Sequence, residues 1–258
     1  MKISLIGSGN VGTHLAKALN EAGHEIKEIW SRDMTHAQRL AEVVGATATT
    51  DLCALKRDVD IYIIAVTDDS IAEVAKRLPK TEAIVAHTSG TVELDALGEV
   101  SKNRAVMWFP HSFVREKTME YGNLTCCIET EEKNCAQMVE KLVGSIASKV
   151  YRMNGEQRKW AHLASVVANN FVNALNAMSE ELMKEHGLPF EIVRPLIAET
   201  ARKAMEVENL WTQQTGPAAR GDRNTMERHR RMLQGNTDAL EAYDAITRMI
   251  EGRPINGR

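Results

Sequence analysis

The chain has 258 residues, 43% of them hydrophobic and 26% charged, and a formal net charge of −3. That length fits one large domain or two ordinary ones, and the balance is that of a globular chain in water. A charge this close to neutral gives no general pull toward nucleic acid or an acidic membrane surface.

The first predicted strand, Ile3–Ile6, runs straight into Gly7-Ser8-Gly9-Asn10-Val11-Gly12, and Leu15, Ala16 and Leu19 open an amphipathic helix over Val11–Ala22. A strand, a G-x-G-x-x-G turn and a helix in that order form a dinucleotide-binding fingerprint. Gly7 allows the tight turn, Gly9 lets backbone approach a pyrophosphate, and Gly12 lets helix and strand pack closely. The pyrophosphate then faces the N–H groups and dipole of the helix N-terminus. Gly7, Ser8, Gly9, Asn10, Val11 and Gly12 are therefore the first expected cofactor contacts. An ordinary Gly-rich turn is the alternative.

The second strand, Glu25–Trp30, ends on Ser31-Arg32-Asp33. An NAD site places an acid here for the ribose 2′-hydroxyl. A hydroxyl and a guanidinium come first instead, and these suit the 2′-phosphate of NADP. His36 and Arg39 follow one and two helical turns on. The expected cofactor is NADP rather than NAD, with Ser31 and Arg32 as contacts. In the alternative, Ser31-Arg32 is a solvated turn and Asp33 serves an NAD ribose.

Thr35–Val44 reads as a helix, Ala46–Thr49 as a short strand, and Ile61–Val66 as a strand buried on both faces. A helix over Ser70–Leu78 stops at Pro79. Strands follow at Ala83–Ala86, Ala105–Phe109, Leu124–Ile128 and Lys149–Tyr151, with a helix between the last two over about Glu132 to Ile146. This β-α alternation predicts an α/β fold, a doubly wound Rossmann sheet. Ligands bind outside the carboxyl ends of such strands. The loops there carry Thr67-Asp68-Asp69, His87-Thr88-Ser89-Gly90 and Pro110-His111-Ser112. Val66, Thr67 and Ser89 complete the expected cofactor contacts. Asp68 and Asp69 read as helix caps. His87 and His111 read either as acids and bases or as structural histidines.

After Arg152 only helical periodicity remains, which divides the chain into a nucleotide-binding domain over 1–153 and an all-α domain for substrate and dimerisation over 154–258. One long helix is expected over Glu156–Glu185, then helices over Glu191–Val207, Asn224–Leu233 and Asp238–Ile250, and a frayed tail over Gly252–Arg258. The stretch Ala161–Ser179 carries no charge. At about 100° per residue, His162, Ser165, Asn169, Asn173 and Asn176 share one face. A face of His, Ser and Asn without Lys or Glu reads as a cleft or an interface rather than a solvated surface. Its four asparagines argue against a membrane span. In Gln213–Asp222, Thr-Gly-Pro sets a turn that leaves Arg220 between small residues, able to bind a carboxylate. Arg228, His229, Arg230 and Arg231 read as a solvated basic face. Cys53, Cys126, Cys127 and Cys135 form no C-x-x-C pair and read as reduced thiols of a cytoplasmic protein. The first strand begins at the N-terminus, so no signal peptide is expected.

The Gly7–Gly12 fingerprint, His162-Leu-Ala-Ser-Val-Val-Ala-Asn169-Asn170-Phe, and Gln214-Thr-Gly-Pro-Ala-Ala-Arg220-Gly-Asp222 followed by His229 together carry a resemblance. The first half resembles the Rossmann domain of pyrroline-5-carboxylate reductases and deazaflavin-dependent NADP reductases. The whole chain is similar to a family of NADP oxidoreductase-like proteins with a C-terminal helical domain of unknown function. The resemblance implies a helical domain that dimerises and a cleft between the domains. One departure stands out: many relatives read Pro-Leu-Gln-Thr-Phe after the sixth strand, and this chain reads Pro110-His111-Ser112-Phe113.

Two readings follow. In the first, an NADP oxidoreductase passes hydride to or from a small polar substrate such as an imine, keto acid or hydroxy acid. His162, Asn170 and Arg220 then line one pocket, with His162 as proton donor and Arg220 as carboxylate clamp. In the second, the protein senses NADP without turnover. A homodimer through the helical domain is expected in either, with no nucleic acid, metal or membrane partner.

Overall fold

A computed structural model of the chain describes residues 1–117, 119 and 121–253. The last five residues of the expected frayed tail lie outside the described residues. Two compact units are present, Met1–Val167 and Ala168–Arg258.

The first unit is built on eight strands: β1 (Lys2–Ile6), β2 (Glu25–Trp30), β3 (Thr47–Thr49), β4 (Ile61–Ile64), β5 (Ile84–His87), β6 (Arg104–Trp108), β7 (Leu124–Glu129) and β8 (Ala147–Arg152). They form one sheet in the order β3-β2-β1-β4-β5-β6-β7-β8. All pairs are parallel except β6 with β7. The order reverses beside β1, which places the topological switch point between β1 and β4.

Residue alternation splits the core in two. Ile61 and Ile63 face the layer with helices α1 (Asn10–Glu21), α2 (Met34–Val44) and α4 (Lys133–Val143). Tyr62 and Ile64 face the layer with α3 (Ile71–Arg77) and the 3-10 turn Leu94–Leu97. A strand covered on both faces has no reason to alternate polar with apolar, so Ile61–Ile64 is uniformly apolar and buried.

The first unit continues into α5 (Gly155–Ser165), started by a capping box in which Asn154 and Gln157 exchange side-chain and backbone hydrogen bonds. The expected single helix is interrupted at this point. Val166–Phe171 form a π-helical turn before α6 (Val172–Glu185). A π turn spends one extra residue, so later positions rotate by about 100° from a straight α-helical projection. The predicted polar stripe is therefore not one straight face.

The second unit contains α6, α7 (Arg194–Glu206), the short α8 (Pro217–Arg220), α9 (Arg223–Met232) and α10 (Thr237–Glu251). The break foreseen around Gly216 contains α8, which starts on Pro217 and ends on Gly221 at φ +70°. Met226, Ala239 and Thr247 are its buried residues among those described. No helix among the described residues is long and apolar enough to cross a membrane.

Candidate functional site

A cavity of about 690 Å³ opens at the switch point, lined by the Gly7–Val11 turn, Ser31–Asp33, His36, Val66 and Thr67, with Arg77, Thr88 and Arg115 further round. The glycines take up separate tasks. Gly7 sits at φ +119°, donates its N–H to the Trp30 carbonyl at 2.8 Å, and a Cβ there would lie 2.1 Å from the Ala65 carbonyl oxygen. A Cβ on Gly12 would lie 2.2 Å from the Gly7 oxygen. Gly9 meets nothing within 4 Å on the open side and caps α1 with no side-chain hydrogen bond or acid in the first turn. The α1 N-terminus thus presents free N–H groups to the cavity, as an anion site requires.

At the ribose end, the buried Ser8 hydroxyl donates to the Ser31 hydroxyl at 3.0 Å, tying the glycine turn to the end of β2. Arg32 is exposed on the cavity wall. The Asp33 carboxylate is committed elsewhere: it caps α2 by accepting from the N–H groups of Thr35 at 2.7 Å and His36 at 3.4 Å. These two hydrogen bonds, Thr35 foremost, hold its pKa below the ordinary carboxylate value. The residues present fit a dinucleotide.

Of the other expected cofactor contacts, Gly12 lies beneath the turn, and Ser89 is turned away from the cavity wall, which Thr88 supplies instead. The Ser89 hydroxyl accepts from the N–H groups of Thr91 and Val92, at 3.1 and 3.0 Å. Asp68 does not cap a helix with its side chain: its carboxylate accepts from the Thr91 hydroxyl at 2.6 Å. His87 is fully buried, with Nδ1 accepting from Ser89 N–H at 3.2 Å and Nε2 bonding the Glu93 carbonyl at 3.3 Å. Burial first, then the Arg158 cation, lowers its pKa to about 4. A neutral histidine with both nitrogens engaged is structural. His111 is exposed beside the Phe113 ring.

The helix α5 is held to the sheet by a buried ion pair that sequence reading missed. Arg158 is fully buried, donates from Nε and Nη2 to Glu129 Oε2 at 3.1 and 2.7 Å, and from Nη1 to the Ser89 carbonyl at 3.2 Å. Lys159 beside it pairs with Glu93. One turn further on, His162 is half-buried against Trp108, and a Cβ on Gly90 would lie 2.4 Å from its ring. Gly90 is what admits this imidazole to the end of β5. The clue in the sequence is Glu129, an acid ending an otherwise apolar strand.

Asn170 lies in the π-helical turn and is exposed, as are Asn169 and Asn173. Arg220 ends α8 and lines a shallow cavity of about 290 Å³ with Gly221, Ile250 and Arg253. Asp222 caps α9 through Thr225 N–H at 3.1 Å. The basic run after it is partly tied down: His229 bonds Tyr243 at 3.0 Å and Arg230 pairs with Asp244 at 2.7 Å. Arg77 and Arg115, both on the wall of the nucleotide cavity, were not foreseen. Among the described residues no cluster of His, Cys, Asp or Glu could hold a metal ion.

Residues 2–90 match the family described as NADP oxidoreductase, coenzyme F420-dependent, and residues 124–250 match a domain of unknown function, DUF2520. A candidate NADP oxidoreductase from Bacteroides fragilis shares 34% identity, with 98% of each chain covered and a TM-score of 0.86. A reductive aminase from Aspergillus terreus, in complex with NADPH, shares the fold at 13% identity over 97% of this chain and 92% of that one, with a TM-score of 0.73. Among curated relatives, an NAD(P)+ glycerol-3-phosphate dehydrogenase from Enterococcus faecalis is 33% identical over 108 residues, 36% of this chain. The chain spans 32% of that relative's length. A glycine turn built for a pyrophosphate and near-complete coverage by a relative in both domains lead to one conclusion: this chain belongs to the NADP oxidoreductase family, and it joins a nucleotide-binding domain of the F420-dependent type to a DUF2520 domain.

Proposed function

We propose that the chain is an NADP(H)-dependent oxidoreductase acting on a small polar substrate, an imine, keto acid or hydroxy acid. The observation that carries the NADP preference is the end of β2. Arg32 stands on the cavity wall while Asp33, the acid at the position an NAD ribose would use, is engaged through Oδ1 in capping α2. The NADPH in the Aspergillus terreus complex supports the same reading.

The bound cofactor supplies the hydride chemistry, and the chain's own residues bind and orient. The α1 N-terminus and the glycine turn hold the pyrophosphate, and Ser31 and Arg32 hold the 2′-phosphate. His162 is proposed as proton donor, because its half-buried ring lies beside Gly90 at the end of β5 and an imidazole can give or take a proton. Arg220 is proposed as the clamp for a substrate carboxylate, since its planar fork suits bidentate binding, and Asn170 as an orienting amide. The working assembly is proposed to be a homodimer through the helical domain.

The test is NADPH oxidation across a panel of imines and keto acids. Turnover that falls in kcat with His162→Ala and rises in KM with Arg220→Lys, with NADPH affinity kept, is the expected outcome. Tight NADPH binding without turnover on any member would favour the sensor reading. Arg32→Ala is expected to weaken NADPH binding by about 1.5–3 kcal/mol, the range for hydrogen bonds to charged groups, and to leave NADH nearly unchanged. Equal losses for both cofactors in calorimetry would refute the NADP assignment.

A further inference from the structure

The segment after β6 reaches the far side of the nucleotide cavity. His14, buried on α1, bonds the Val114 carbonyl through Nε2 at 2.9 Å and the Tyr121 hydroxyl through Nδ1 at 3.0 Å. Phe113 packs on the same imidazole, with ring centroids 5.5 Å apart. Three contacts to one buried ring fix the chain on either side of Arg115 over the first turns of α1. Arg115 is half-buried, and its Nε donates to Glu116 at 3.2 Å.

Arg115 lines two cavities at once. It borders the large nucleotide cavity, and it borders a second of about 210 Å³ with Lys17, His36, Arg39 and Glu116. Ser8 and His36 are also shared by the two, so Arg115 stands at their junction, on the side where β2 ends. In the smaller cavity Lys17, Arg39, Arg115 and His36 face a single acid, Glu116, which is already paired with Arg115. An excess of cations with low-dielectric walls concentrates an anion. The anion sought at the end of β2 is a ribose phosphate.

We propose that Arg115 is a specificity-determining residue that closes the 2′-phosphate site from the β6 side, opposite Arg32 and beside His36, with His14 as the residue that positions it. This inference rests on the NADP reading above and extends it to a residue 83 positions along the chain from Arg32. A guanidinium adds charge-assisted hydrogen bonds to phosphate oxygens that a 2′-hydroxyl cannot replace.

The experiment is calorimetry on the full chain with four probes: NADPH, NADH, 2′,5′-ADP and 5′-ADP. Arg115→Ala is expected to weaken NADPH and 2′,5′-ADP by about tenfold to a hundredfold, as expected for loss of hydrogen bonds to a charged group, and to change NADH and 5′-ADP by less than about threefold. Retained NADH binding shows in the same titrations that the site is folded. Arg115→Lys should recover part of the loss, and the NADPH loss should shrink as salt is raised, since a cation–phosphate interaction is screened. Equal weakening of NADPH and NADH would overturn the proposal by moving Arg115 to the pyrophosphate, and no weakening of either would overturn it outright. A wild type that binds NADPH and NADH equally refutes the NADP reading itself. If Arg32→Ala alone discriminates, that reading stands and the role of Arg115 falls.

Discussion

The two units of this chain differ in how they close. In Met1–Val167 both faces of the sheet are sealed, and residues such as Ile3, Leu5, Ile63 and Val85 are inaccessible to solvent. In Ala168–Arg258, α6 and α7 contain no buried residue, and Phe171, Ile192, Leu196 and Met205 are 55%, 62%, 61% and 87% exposed. Large contiguous apolar patches are rare on monomers in water, and the proposed homodimer would cover these side chains. The first unit holds a core of its own, whereas the second leaves α6 and α7 open to solvent. The same split runs through the chemistry: the nucleotide cavity is complete within the first unit, and the proposed substrate clamp Arg220 belongs to the second.

The largest expected effect tests that difference directly. Light scattering should show a particle of twice 28.7 kDa at micromolar concentration. Leu196→Asp should convert it to monomer, because it removes about 1.5–3 kcal/mol of side-chain burial and adds an unpaired charge to an apolar interface. A monomeric wild type would break the comparison, for those side chains would then be exposed in solution.

Next in size is the ion pair that binds α5 to the sheet. Arg158→Ala leaves the partly buried Glu129 without its partner, which costs up to about 3 kcal/mol, less than for a pair buried on both sides because water can reach the carboxylate. Urea unfolding should show this loss, and Arg158→Met should be milder because the packed stem is kept. A loss below about 1 kcal/mol would mean that α5 is held by other contacts.

His87 sharpens the account of the sealed core through pH. Its pKa is lowered to about 4 in the folded chain against an ordinary 6.5. Between those values the unfolded chain binds the proton that the folded one refuses, so stability rises with pH across this window. It should be fully present above about pH 6.5, fall by about 3 kcal/mol toward pH 4, and level off below. His24, lowered by burial first and then by the N-terminal charge, acts in the same direction. His87→Gln should flatten most of this slope, and an unchanged slope would remove His87 as its cause.

What the sequence could disclose follows the range of the interactions involved. Gly7 and Gly12 were legible because a turn and a close helix approach are set within a dozen residues, and the strands were legible because β4 is apolar at every position. Arg158 and Glu129 are 29 residues apart and His14 and Val114 are 100 apart, so each looks like an ordinary surface residue until the sheet brings the partners together. The π-helical turn escaped because periodicity assumes a constant step. Its one local sign was the Asn169-Asn170 pair, two poor helix formers in an uncharged helix.

Asp33 carries the smallest expected effect and separates structure from recognition at the site itself. If its carboxylate serves only as the α2 cap, Asp33→Ala removes one helix N-cap and costs about 0.5–2 kcal/mol of stability. Asp33→Asn or Asp33→Ser, which also cap, should restore most of it. NADH affinity should then stay within about twofold, less than the loss of a hydrogen bond to a charged group would cause. NADPH should bind as well or slightly better once a carboxylate near the 2′-phosphate is gone. If the carboxylate instead reaches an NAD ribose, the pattern inverts: NADH weakens and the asparagine variant does not restore it. The geometry frames the choice: Oδ1 accepts from two backbone N–H groups and pins the carboxylate at the α2 N-terminus, so that a ribose hydroxyl could reach only Oδ2.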